Sequence, residues 1–214
     1  MSDGSLNELS ENSLAGDRRA TTSSVAVPKS LTDKILHSLT VRLARSLVNI
    51  AWITPNQISW LSGGVGGPLA GWFIVRGDYL IAVLSIAISG ILDCLDGDLA
   101  RERGVASREG DILDSVIDRY VDFFLISALI LVSPNDYLIP GLLALLGTTM
   151  VPYIRARSEA QGKSTIASIG SRATRTILIV IGLLTGQIFP LLVILALISN
   201  IAAIHRLTHA LVTK

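Results

Sequence analysis

Between Asp93 and Asp118 the chain sets four aspartates at regular intervals: Asp93-x2-Asp96-Gly97-x2-Ala100-Arg101-x8-Gly110-x3-Asp114-x3-Asp118. Asp93, Asp96 and Ala100 fall at i, i+3 and i+7 and share one helix face, while Asp114 and Asp118 stand one turn apart on the next helix. Asp111 and Asp122 continue that second stripe. Gly97 leaves its backbone open to a ligand. The short connection from Arg101 to Gly110 makes the two helices antiparallel neighbours, so carboxylates from both can converge. Such a group cannot ionise together at low dielectric without a cation. An all-oxygen donor set favours a hard divalent ion (Mg2+, Mn2+ or Ca2+) over Zn2+. Metal pairs bridged by carboxylates serve phosphoryl chemistry, and Arg101, one turn beyond Gly97, can neutralise a phosphate.

The elements that carry these residues are apolar. Of 214 residues, 50% are hydrophobic and 16% charged, and the mean hydropathy is +0.57. This composition indicates an integral membrane protein rather than a soluble domain. Six apolar segments, at about 56–75, 78–101, 110–133, 137–158, 172–187 and 189–211, each approach the roughly 20 residues that cross a bilayer. Residues 1–28 are rich in Ser, Asn and acidic groups and are expected to be a disordered tail, leaving 29–214 as one membrane domain. Residues 30–50 alternate Leu31, Ile35, Leu36, Leu39, Leu43 and Leu47 with Lys34, Arg42 and Arg45. That is the period of an amphipathic helix lying in the membrane interface. The expected fold is therefore all-α, with six transmembrane helices preceded by an interfacial helix. Thr54 or Asn56 can cap the first span. Its glycines, Gly63, Gly64, Gly66, Gly67 and Gly71, permit close packing within the bundle or a homodimer seam.

Charge distribution sets the orientation. Arg18, Arg19, Lys29, Lys34, Arg42 and Arg45 precede the first span; Arg101, Arg103 and Arg108 join spans two and three; Arg155, Arg157, Lys163, Arg172 and Arg175 join spans four and five. The opposite side has only Arg76. The positive-inside rule then places both termini and the aspartate cluster on the cytoplasmic side of the cell membrane. A net charge of +1, without a basic tail, gives no sign of nucleic-acid binding. The single cysteine, Cys94, excludes an intramolecular disulfide. His37 is remote in sequence from His205 and His209, so no histidine site competes for the metal.

The stretch Asp93–Asp118 resembles the signature of the CDP-alcohol phosphotransferases at every specified position, and the likeness extends over the chain from about Ser30. In that family a CDP-linked lipid gives its phosphatidyl-type group to an alcohol and releases CMP. The resemblance implies Asp93, Asp96, Asp114 and Asp118 as ligands of a metal pair, expected to be Mg2+ with Mn2+ as the alternative. It implies Asp118 as general base as well. Gly97, Ala100, Arg101 and Ser107, with Thr54, Pro55, Asn56 and Gln57, would contact the CDP-lipid. It also implies a homodimer.

The acceptor alcohol lies outside this signature. Converging arginines suit a phosphate. Tyr153-Ile154-Arg155-Ala156-Arg157-Ser158-Glu159-Ala160, the pair Arg172 and Arg175, and Arg206 resemble family members that use inositol 1-phosphate. On that resemblance Arg155, Arg175 and Arg206 would hold the acceptor phosphate. The chain departs from those members at Ser171, Ala173 and Thr174, where a Glu and a Pro are usual, and Arg155 stands where Lys is common. Inositol 1-phosphate is thus the expected acceptor and glycerol 3-phosphate the alternative, the donor being an ester or an archaeal ether lipid. A divalent-cation transporter is the competing class, though transporters tend to show inverted repeats and none is visible here.

Overall fold

The structure, a computed structural model, describes residues 40–50, 52–163 and 171–212. The tail at 1–28, residue 29 and residues 30–39 of the expected amphipathic helix, His37 among them, lie outside the described residues. Among those described, the fold is all-helical: α1 (40–47), α2 (Pro55–Arg76), α3 (Tyr79–Glu102), α4 (Arg108–Val132), α5 (Pro134–Ala160), α6 (Arg172–Thr185) and α7 (Ile188–Val212).

Helices α2, α3, α5 and α7 are long and apolar enough to cross a membrane. The other two expected spans differ for physical reasons. The first half of α4 carries Asp111, Asp114, Asp118, Arg119 and Asp122, so its apolar part is confined to the second half. Helix α6 has 14 residues, about 21 Å of helix against a hydrocarbon core of about 30 Å.

Local sequence explains the boundaries. Thr54 and Gln57 form a reciprocal capping box, Thr54 N–H donating to Gln57 Oε1 at 2.8 Å and Gln57 N–H to Thr54 Oγ1 at 3.3 Å, with Pro55 in the first turn. Pro68 cannot donate a backbone hydrogen bond, and α2 passes there through a π-helical turn, Val65–Leu69, before resuming as Ala70–Arg76. Ser107 caps α4 by accepting from Gly110 N–H at 3.1 Å. Gly186, at φ 68°, ends α6 in the left-handed conformation.

The glycines of α2 are used inside the bundle. A Cβ on Gly63 would collide with Ile117, one on Gly66 with Ser89, and one on Gly71 would lie 3.4 Å from Ala128 Cβ and from the Phe124 carbonyl. That face packs on α3 and α4, and only Gly64 among the five looks onto open space. The same close approach allows Ser62 and Ser89 to exchange hydrogen bonds, each hydroxyl donating to the other's carbonyl at 2.9 Å. The main core joins α2, α3, α4, α5, α6 and α7 through residues such as Ile74, Leu129, Ile179, Leu183, Leu192 and Leu195.

Helix α1 packs by Ala44 into a smaller cluster with Ile58, Leu95 and Leu99. Arg103 fastens the chain that follows. Its guanidinium donates to the carbonyls of Leu47 (2.7 Å), Val48 (3.2 Å), Ile50 (2.9 Å) and Ile53 (2.5 Å). These carbonyls lie at a helix C-terminus and its exit, where a cation is favoured, and two of them, Leu47 and Ile50, also accept from backbone N–H groups. Arg103→Met leaves them without that donor and should lower stability by about 2 kcal/mol or more, read as a fall in Tm of the detergent-solubilised protein. An unchanged Tm would contradict the role.

Candidate active site

The aspartate stretch folds as its spacing requires. Asp93 and Asp96 lie in the last turns of α3, Asp114 and Asp118 in the first turns of α4, and residues 103–107 reverse the chain between them. Carboxylate oxygens of Asp93, Asp114 and Asp118 come within 4.8 Å of one another. Asp96 is held slightly apart: it is buried, and its Oδ2 accepts from Ser59 Oγ of α2 at 2.5 Å.

Burial leaves this negative charge in need of a cation, and a side chain supplies one. Arg172, the first residue of α6, puts Nη1 2.7 Å from Asp93 Oδ2 and 2.8 Å from Asp118 Oδ1. A guanidinium thus already bridges two of the three carboxylates. All-oxygen donors, converging from two helices on a shared positive charge, fit a hard divalent cation. Asp93, Asp114 and Asp118 would hold it, with Asp96 one turn from Asp93 on the same helix.

A second buried network adjoins the first. Arg175, one turn along α6, is 3% exposed and donates from Nη2 to Asp122 Oδ2 at 2.7 Å. Arg119 stands beside both networks, 3.6 Å from Asp118 Oδ2 and 3.9 Å from Asp122 Oδ2. Near the end of α7, Arg206 lies within electrostatic range of Arg155 and Arg175, and of Glu159 as well. Arg155 donates to Glu159 at 2.8 Å on the exposed end of α5. Two of the arginines expected to meet an acceptor phosphate, Arg155 of α5 and Arg175 of α6, are thus near enough to the third, Arg206 of α7, to act on it electrostatically.

The residues expected at the nucleotide have local partners. Arg101 is paired with Asp98 at 2.6 Å and lies against Gly97. Ala100 is half-buried on the same helix. Thr54, Gln57 and Ser107 serve as the caps already described, Pro55 is the first residue of α2, and Asn56 is exposed beside it.

Several residues of the site escaped the sequence reading. Asp98 sits at an unspecified position of the motif, yet its i+3 spacing to Arg101 is a pairing signal. Asp122 lies one turn beyond Asp118, which marked its face but not its partner. Ser59 and the contact of Arg172 with the carboxylates had no local signal, because they join distant segments.

Comparison with known proteins gives the same direction. A sequence profile of the CDP-alcohol phosphatidyltransferases matches residues 52–208. The chain is 33% identical over 170 residues to archaetidylinositol phosphate synthase of Pyrococcus horikoshii, covering 79% of this chain and 89% of that protein. It is 30% identical over 152 residues to phosphatidylinositol phosphate synthase of Corynebacterium glutamicum, covering 68% and 69%. The crystal structure of Mycobacterium tuberculosis phosphatidylinositol phosphate synthase with CDP-DAG bound matches with a TM-score of 0.76 at 25% identity, over 82% of this chain and 95% of that one. The same mycobacterial enzyme in complex with manganese and citrate has a TM-score of 0.75 at 24% identity, over 81% and 90%. The matched region contains both helices of the aspartate motif together with Arg155, Arg175 and Arg206, and the chain belongs to the CDP-alcohol phosphatidyltransferase family.

Proposed function

We propose that this membrane enzyme transfers the phosphatidyl-type group of a CDP-linked lipid to inositol 1-phosphate. Membership of an enzyme family removes the divalent-cation transporter reading. The observation that carries the acceptor assignment is that Arg155 and Arg175 lie within electrostatic range of Arg206. A cluster of guanidinium groups suits a dianionic phosphate better than an uncharged alcohol. The similarity to the Pyrococcus and Corynebacterium synthases supports the same acceptor.

In this reading Asp93, Asp96, Asp114 and Asp118 hold two Mg2+ ions. When bound, the ions would offset charge on the diphosphate and on the departing CMP. Arg101 and the backbone at Gly97 receive the diphosphate, with Ala100, Ser107 and Thr54–Gln57 around the cytidine. Arg155, Arg175 and Arg206 orient the acceptor by its phosphate. Asp118 takes the proton from the acceptor hydroxyl. The hydroxyl oxygen then forms a bond to the lipid-side phosphorus, and the bond from that phosphorus to the bridging oxygen breaks. Six spans, an interfacial helix over residues 30–50, a cytoplasmic site with both termini on the same side, and a homodimer complete the proposal. The arginines and lysines at the site's end of the bundle support that orientation.

Transfer assays test it. Purified protein with CDP-diacylglycerol or CDP-archaeol and Mg2+ should move label from radiolabelled inositol 1-phosphate into lipid and release CMP in equal amount. Labelled glycerol 3-phosphate and free inositol should transfer far more slowly. Transfer from glycerol 3-phosphate with none from inositol 1-phosphate would overturn the acceptor assignment.

A further inference from the structure

Asp98 stands between two fixed positions of the motif, Gly97 and Ala100, and no role has been given to it above. Its side chain is 1% exposed, which makes an ionised carboxylate costly unless it is paired and hydrogen-bonded. Two groups meet it. Thr40 Oγ1, itself buried on α1, donates to Oδ2 at 2.5 Å, and Arg101 Nη2 donates to Oδ1 at 2.6 Å. The arginine side chain, in contrast, is 63% exposed. Its guanidinium is tied at one edge and open elsewhere.

The pairing determines where the guanidinium lies. A Cβ built on Gly97 would stand 3.4 Å from both Nη1 and Nη2, so the planar group rests where the motif has no side chain. An arginine has many rotamers, and ordering it on binding reduces affinity. A buried carboxylate one turn away removes most of that freedom beforehand. Thr40 fixes the carboxylate from the other side and links α1 to the last turns of α3.

We propose that Asp98 is a positioning residue for the donor substrate, holding Arg101 over Gly97 so that its guanidinium meets the diphosphate of the CDP-linked lipid. This rests on the reading that Arg101 contacts that diphosphate. A mutant cycle over Asp98→Asn, Arg101→Ala and the double variant tests both parts, with KM for the CDP-lipid, KM for the acceptor, kcat and CMP affinity measured for each. Asp98→Asn should raise KM for the CDP-lipid and weaken CMP binding about tenfold, the scale of one charge-assisted hydrogen bond. Acceptor KM and kcat should stay close to wild type. In the Arg101→Ala background the Asp98 change should add little, because Asp98 acts through Arg101. Thr40→Val, which removes the other bond to the carboxylate without touching the charge, should move the same constants in the same direction by less. Multiplying effects of Asp98→Asn and Arg101→Ala, or equal loss in both KM values and kcat, would make Asp98 structural and overturn the proposal. An Arg101→Ala enzyme with unaltered CDP-lipid KM and CMP affinity would overturn the nucleotide-contact reading itself, and the proposal with it.

Discussion

Asp118→Asn should lower turnover by about a hundredfold to ten-thousandfold, the range for loss of a general base, while CDP-lipid binding stays within a few fold of wild type. Asp118 is buried in α4, with Oδ1 2.8 Å from Arg172 Nη1 and Oδ2 3.6 Å from Arg119. An amide fills the same volume, and Arg172 keeps its hydrogen bond to Asp93, so the fold and the donor site should persist. What the amide cannot do is accept the acceptor's proton. The same carboxylate is also assigned as a metal ligand, and the two roles separate by titration. If the loss came only from weaker metal binding, saturating Mg2+ would restore the rate. If Asp118 is the base, the rate stays low at every Mg2+ concentration, while calorimetry still registers the cation at the remaining aspartates. Near-wild-type CMP release in a single turnover would sink the base assignment.

The helices were legible because their signals are local. Thr54, one of two caps the sequence offers for the first span, is the cap the structure uses, and the ends of α4 and α6 fall within two residues of the expected segments. Among helix ends the largest shifts are of three residues: α1 closes at 47 against an expected 50, and α5 begins at Pro134 against an expected 137, where proline serves as a first-turn residue. The convergence of Asp93, Asp114 and Asp118 was equally legible, since helical spacing and a short connection leave the carboxylates few other arrangements. Contacts between distant segments were not. Arg172 meets Asp93 across 79 positions, and Arg103 meets Leu47 across 56. Both were counted as positive charges setting orientation, which is a property of the chain's ends and loops. The structure shows each as a specific donor. The glycines of α2 show the same limit from another side. Their number announced close packing, but only the three-dimensional contacts with Ile117, Ser89, Phe124 and Ala128 show that the tight face is turned inward.

Arg175→Leu should raise KM for the phosphorylated acceptor about a hundredfold, equivalent to about 3 kcal/mol, and should also destabilise the protein. The two effects have different origins. Arg175 and Asp122 form a buried pair, with side chains 4% and 13% exposed and Nη2 2.7 Å from Oδ2. Removing one member strands the other charge, a cost of about 3–5 kcal/mol, only partly relieved by Arg119 at 3.9 Å. Replacing both members with apolar residues avoids the stranded charge and is often neutral or stabilising. The double variant Asp122→Leu/Arg175→Leu should therefore recover much of the Tm lost by Arg175→Leu alone. It should not recover acceptor KM, because the guanidinium proposed to meet the phosphate is still missing, whereas KM for the CDP-lipid should change little in either variant. Recovery of acceptor KM together with Tm would mean that Arg175 matters only as the partner of Asp122. The acceptor phosphate would then have to be held by Arg155 and Arg206 without it.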